Sequence, residues 1–95
     1  MITTVCQRRD YRIKYEEVDG LTFVHADVTR WNRQVCREFR LDLNDLMFLR
    51  GGPLYAMNSP EGKEKREKFM RMMGFQFLQA IPSPSGECDV FIRSK

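Results

Sequence analysis

A single histidine, three cysteines and a run of arginines hold most of the chemistry open to this chain. His25 stands two residues before Asp27, and on a strand that spacing puts both on one face. An imidazole beside a carboxylate is the composition of a general base. Glu16 and Glu17 could also take a proton from an acceptor amine. A lone histidine among apolar neighbours is ordinarily a hydrogen-bonded structural residue, however, and glutamates at the end of a hairpin are ordinarily solvated. Cys36 lies among arginines, which favour the thiolate, while its neighbour Val35 argues for burial. Arg30, Arg33, Arg37 and Arg40 form a more one-sided basic set, suited to a phosphate or an acidic partner. Cys6, Cys36 and Cys88 are widely spaced and odd in number, which gives neither a zinc-type pair nor a disulfide framework. Reduced structural thiols and no metal site are expected. Gly51-Gly52 is too short for a phosphate loop and suits a helix terminator.

The elements that must position these residues can be read from the pattern. The 95 residues suffice for one domain, 1–95, around one core. Ile2 to Gln7 is short and rich in β-branched residues, as a strand is. In Tyr11 to Val18, Tyr11, Ile13 and Tyr15 alternate with Arg12, Lys14 and Glu16, a half-exposed strand. Asp19-Gly20 signals a tight hairpin. Leu21 to Val28 is apolar on both faces for most of its length, predicting a central strand covered on two sides. Thr29 or Asp27 is placed to cap a helix in which Trp31, Val35, Phe39, Leu43 and Leu46 trace one buried stripe. Leu54 to Met57 is strand-length, and Asn58-Ser59-Pro60 supplies a cap and a first-turn proline. The helix that follows ends at Gly74. Phe75 to Ile81 and Cys88 to Arg93 then read as strands joined by a turn over residues 82–86. The order is β-β-β-α-β-α-β-β, an α/β (α+β) domain with one mixed, mostly antiparallel sheet and two helices.

The run Asn58 … Lys68-Phe69-Met70-Arg71-Met72-Met73-Gly74-Phe75 adds a more specific signal. It resembles the second helix and following strand of the GCN5-related N-acetyltransferase fold, in which an asparagine after a short strand precedes a helix ending in Gly-Phe. The likeness extends in topology over Tyr11 to Arg93, and the chain is similar to the shortened versions of the fold found in bacteriophage proteins. The resemblance implies acetyl-CoA as cosubstrate, held near Val28, Arg30, Arg33 and Asn58. It also implies a glycine-rich turn ahead of the first helix, whose amides approach the coenzyme pyrophosphate. Here Val28 to Val35 contains no glycine and has Trp31 instead. The tyrosine that serves the family as general acid, four residues before the Gly of Gly-Phe, is Met70, which has no proton to give. The strand and two helices that precede this part of the family fold have no counterpart in the sequence.

Those departures favour a non-catalytic, acetyltransferase-like protein that binds another macromolecule, for example a phage-encoded factor targeting a host or virion protein, such as an inhibitor of host defence, with no cofactor. The alternative is a minimal acyl-CoA-dependent N-acetyltransferase, with His25, Asp27 or Glu17 as base. A third reading is a nucleic-acid binder using Arg30, Arg33, Arg37 and Arg40, although the net charge of +3 is mild and no recognition-helix signature accompanies it. A protein partner, or a second copy paired through a sheet edge, is expected before nucleic acid. No apolar run is long enough to span a bilayer and no signal-peptide core is present, so a cytoplasmic location is expected.

Overall fold

The computed structural model describes residues 2–58, 63–84 and 86–94. Eight elements follow in the expected order: β1 (Ile2–Gln7), β2 (Tyr11–Val18), β3 (Leu21–Val28), α1 (Arg33–Arg50), β4 (Leu54–Asn58), α2 (Lys63–Met72), β5 (Gln76–Ser83) and β6 (Gly86–Arg93). They build one six-stranded sheet of order β1-β2-β3-β4-β6-β5. Asp19 and Gly20 both take positive φ, 52° and 80°, as the two-residue hairpin turn requires. That turn pairs Val18 with Leu21 and fixes the β2–β3 register through to Tyr11 opposite Val28. Only β3 and β4 run parallel as neighbours, and their ladder holds just two pairs, Thr22 with Leu54 and Phe23 with Tyr55. Beyond Phe23 the two strands part. Pro82 sits within β5, where the sheet order leaves an edge and a missing N–H does no harm.

Both helices cover the same sheet face. Val35, Phe39, Leu43 and Leu46 of α1 share one core cluster with Tyr11 and Ile13 of β2, Leu54 and Ala56 of β4, and Phe91 of β6. Phe39 of α1 and Phe69 of α2 meet edge to face, 5.5 Å between ring centroids. Right-handed crossovers from β3 to β4 and from β4 to β5 lead to this one-sided placement. Leu21–Val28 is therefore not covered on two sides: Thr22 is buried, Phe23 and Val24 are half-buried, and the remainder is exposed. The apolar residues of β3 had suggested burial on both faces, but helices lie over only one.

The start of α1 also differs from expectation. The Thr29 amide and hydroxyl both donate to the carbonyl of Asp10, at 2.8 and 3.1 Å, so Thr29 continues the β2–β3 ladder and caps nothing. Asp27 pairs instead with Lys14 at 3.0 Å. The cap is Asn32, whose backbone is extended and whose side chain accepts from the Val35 amide at 2.9 Å, as an N-cap oxygen does. Trp31 thus precedes the helix and is 37% exposed, leaving the buried stripe to begin at Val35. α1 runs unbroken to Arg50 and closes on Gly51, in the left-handed conformation. α2 ends at Gly74 (φ 93°), with the Phe75 amide reaching the Met70 carbonyl at 2.9 Å. The expected cap at Asn58-Ser59-Pro60 lies largely outside the described residues. Among the described residues no helix is long and apolar enough to cross a membrane.

Candidate functional site

The parting of β3 from β4 creates the site. In a two-residue hairpin the flanking pair is hydrogen-bonded, so alternate β3 residues bond back to β2. The bond from Thr29 to Asp10 fixes the phase of that alternation. Val24, Ala26 and Val28 consequently turn their backbone N–H and C=O groups toward β4, where the ladder has already ended. A cavity of about 940 Å³ fills the gap. Val24, Ala26 and Val28 line it from β3, Ala56 and Met57 from β4, and Phe69 and Met70 from α2. Phe23 and Tyr55, the last pair of the β3–β4 ladder, hold their rings 5.7 Å apart where the two strands begin to part. Apolar walls beside unpartnered strand backbone suit an extended, amide-bearing ligand that can add itself as a short strand.

Trp31 forms part of the opposite wall, packed against Phe69 at 4.9 Å and Phe39 at 6.3 Å. Lys65 and Arg66, from the first turns of α2, supply cations to the same cavity. Neither role is obvious in the sequence, because the alternating charges from Glu61 to Lys68 read as a solvated helix face.

The expected site residues divide. Val28 lines the cavity, as do His25 and Asp27, which face the helix-free side of the sheet. His25 and Asp27 do not form a pair. His25 Nε2 lies 3.2 Å from Glu16 Oε1, while Asp27 bonds Lys14. Both contacts run diagonally across the β2–β3 pair, a span that long side chains such as Glu16 and Lys14 bridge. Glu17 turns the other way and is bound by Arg50, whose guanidinium also stands over the Tyr15 ring at 4.8 Å. It is not among the residues that line the cavity. Arg30 belongs to the β3–α1 connection, its amide 3.4 Å from the Asp10 carbonyl, and is not part of the cavity wall. Arg33 and Arg37 flank a separate shallow groove on α1 with Gln34 and Glu38. Arg33, Arg37 and Arg40 recur at helical spacing along one exposed side of α1. Asn58 is fully buried at the end of β4, outside the cavity lining. Among the described residues no three His, Cys, Asp or Glu side chains group as metal ligands.

A second polar cluster ties β1 and β2 to α1. Asp42 accepts from Arg8 Nε and Nη2 at 2.7 and 2.8 Å, from the Tyr11 hydroxyl, and from Cys6 Sγ at 3.2 Å. The Arg8 bonds outweigh burial and lower the Asp42 carboxyl to about 2, because they favour the charged form. Burial first, then the bond to Asp42, raises the Cys6 thiol, so this cysteine is a structural donor and a poor nucleophile. Cys36 is half-buried and Cys88 buried, and all three are free thiols.

No family model matches the chain, and no curated protein does. Among solved structures the chain is similar to AAC(6')-Ib, bound in one case to paromomycin and acetyl-CoA and in another to ribostamycin and coenzyme A. The TM-score is 0.66 in both cases, at 12% identity over 90% of this chain. The chain spans 58% of the AAC(6')-Ib chain in the first and 57% in the second. At that identity the likeness establishes the fold: a mixed six-stranded sheet with two helices in the acetyltransferase layout.

Proposed function

We propose that the chain binds an acyl-CoA in the gap between β3 and β4 and passes the acyl group to an amine. The observation that carries this reading is the two-pair β3–β4 ladder, which leaves the β4-facing backbone of Val24, Ala26 and Val28 without a strand partner beside an apolar cavity. The neighbours of the same fold hold acetyl-CoA or coenzyme A, which supports the choice of ligand. When bound, the thioester supplies an activated acyl carbon. The chain's own contributions are the β3 amides, which donate to the ligand's oxygens, and the walls of Trp31, Phe69 and Met70, which exclude water. Met70 gives no proton to the departing thiolate, so that proton comes from solvent.

A second reading, in which the same fold docks on a macromolecule without catalysis, is favoured by a different surface. Phe48 is 84% exposed and Leu49 72% exposed on the outer side of α1, an unusual display for large apolar residues. Calorimetric titration with acetyl-CoA, with coenzyme A alongside, separates the two. Micromolar affinity and release of free thiol in the presence of an amine are expected. An absence of binding at millimolar acetyl-CoA would pass the function to the second reading.

A further inference from the structure

The side of α1 that faces away from the sheet carries a pattern the cavity does not use. Val35, Phe39, Leu43 and Leu46 bury one stripe of the helix. On the opposite side Gln34, Leu41 and Phe48 recur every seven residues, with Arg37 and Asn44 between them at the alternating three- and four-residue steps of a heptad seam. All five are exposed, Leu41 by 55% and Phe48 by 84%. These two large apolar side chains stand about 10 Å apart along the helix axis. Charges line the two borders of the seam separately. Arg33 and Arg40 occupy one, Glu38 and Asp45 the other. Among the described residues none of these four enters an ion pair within the chain. Glu38 only accepts from Gln34, 3.3 Å away on the same helix.

We infer that this face pairs two copies of the chain, α1 beside α1 in parallel, around a two-fold axis that runs along the helices. The charged borders decide the direction. In a parallel pair each residue of the arginine border meets the residue five positions on in the other copy's acidic border. Arg33 then meets Glu38 of the second copy and Arg40 meets its Asp45, and the two-fold repeats both contacts. In an antiparallel pair like borders meet, arginine against arginine and Glu38 beside Asp45, which repels. Along the parallel seam Leu41 packs on Leu41 and Phe48 on Phe48, while Asn44 meets Asn44, whose amides both donate and accept. Arg37 faces its own counterpart, which weakens the N-terminal end and makes the contact a small, reversible one. The surface that favours docking on a macromolecule is thereby given one occupant, a second copy. No residue of the seam or its borders lines the cavity, so the pairing is independent of the acyl-CoA reading.

Sedimentation equilibrium over a concentration series up to about 1 mM, which reaches weak contacts, tests the pairing. The weight-average mass should climb from 11.3 kDa toward twice that value. Phe48→Ser should stay monomeric across the series and melt within a few degrees of wild type, because the ring is 84% exposed. Glu38→Arg/Asp45→Arg sets like charge on both borders and should weaken association at least about tenfold. Adding Arg33→Glu/Arg40→Glu to that variant reverses both borders and should restore it. Gln34→Cys and Asn44→Cys, oxidised separately, should each cross-link to the same position of the second copy above the wild-type background. Only a parallel pair brings two positions ten residues apart each opposite itself. A monomer throughout the series would overturn the inference and leave the face to a different protein. Association that survives Phe48→Ser would overturn it in favour of a sheet edge. Cross-linking at only one of the two cysteines, or association indifferent to the acidic-border reversal, would overturn it in favour of another arrangement of the helices.

Discussion

Trp31 meets Phe69 edge to face, 4.9 Å between ring centroids, and so joins the β3–α1 connection to α2 across the cavity. The same indole touches Phe39, which packs in turn on Tyr11 at 5.0 Å. Where a glycine turn would leave open space, an aromatic chain runs from the cavity wall into the core. Replacing Trp31 by alanine should lower stability by about 2 kcal/mol, less than for a fully buried tryptophan because 37% of the residue is exposed. A double-mutant cycle with Phe69→Ala, read by urea denaturation, should give a coupling of about 0.5–1.5 kcal/mol. Simple additivity would mean that the rings merely sit side by side.

Asp42 makes acid stability a second readout. Its carboxyl is lowered to about 2 from an ordinary 3.8, first by the Arg8 hydrogen bonds. A group whose folded value is depressed stabilises the protein above the unfolded value and stops doing so as pH falls through the folded one. Stability contributed at neutral pH should therefore drain away between about pH 4 and pH 2. The side chain is only 9% exposed, while its partner Arg8 is 46% exposed and screened by solvent, so the loss should be about 1–2 kcal/mol. Asp42→Asn should start lower by a similar amount at pH 7 and lack this part of the acid-dependent slope. Parallel slopes for the two proteins would show that other carboxylates govern acid unfolding.

The order of all eight elements was legible because each carries its own local signal: alternation in β2, Asp19-Gly20 at the hairpin, Gly74 after α2. What the sequence hid were relationships between elements. The apolar run of β3 reads alike whether one face or two are covered, and only the placement of both helices decides it. Thr29 and Asn32 are both good caps, and the choice fell to Asn32 because Asp10 had already claimed Thr29. The partner of His25 was within reach of sequence reasoning. Val18 opposite Leu21 sets Lys14 opposite His25 and leaves Glu16 on the diagonal, two residues away on the same face. Lys65 and Arg66 could not be found this way, since a cavity between strands that part is a tertiary feature.

Gly74 and Arg93 meet where α2 turns into β5. Arg93 Nε donates to the Met73 carbonyl at 2.7 Å, and Arg93 is itself buried. The bond satisfies an acceptor left free at the helix end. A β-carbon on residue 74 would stand 3.2 Å from that Nε, at a backbone φ of 93°. Gly74→Ala therefore combines a strained dihedral with pressure on a buried cation. It should cost about 1–2 kcal/mol, against the small gain that an alanine brings where the backbone is compatible. Chemical denaturation of Gly74→Ala and, as a comparison, Gly52→Ala checks this. Gly52 has no positive φ and open space around its would-be β-carbon. That variant should stay within about 0.5 kcal/mol of wild type.

The cations of the cavity bear on how the phosphates of an acyl-CoA are held. Resemblance to the family points to the start of α1, where Arg30 and Arg33 stand, but neither belongs to the cavity wall. Lys65 and Arg66 do, and they come from α2 on the far side of Phe69. On the acyl-CoA reading, Trp31 in place of a glycine disfavours close approach of backbone amides to a pyrophosphate, and side-chain cations would serve instead. Lys65→Ala should weaken acetyl-CoA binding about tenfold, the worth of one charge-assisted hydrogen bond at roughly 1.5 kcal/mol. The double exchange Lys65→Ala/Arg66→Ala should weaken it further and flatten its salt dependence. Arg30→Ala/Arg33→Ala, titrated under the same conditions, should change affinity less than about threefold, as expected of solvated charges outside the site. The reverse ranking would put the phosphates back at the α1 start and leave the α2 cations as surface charge.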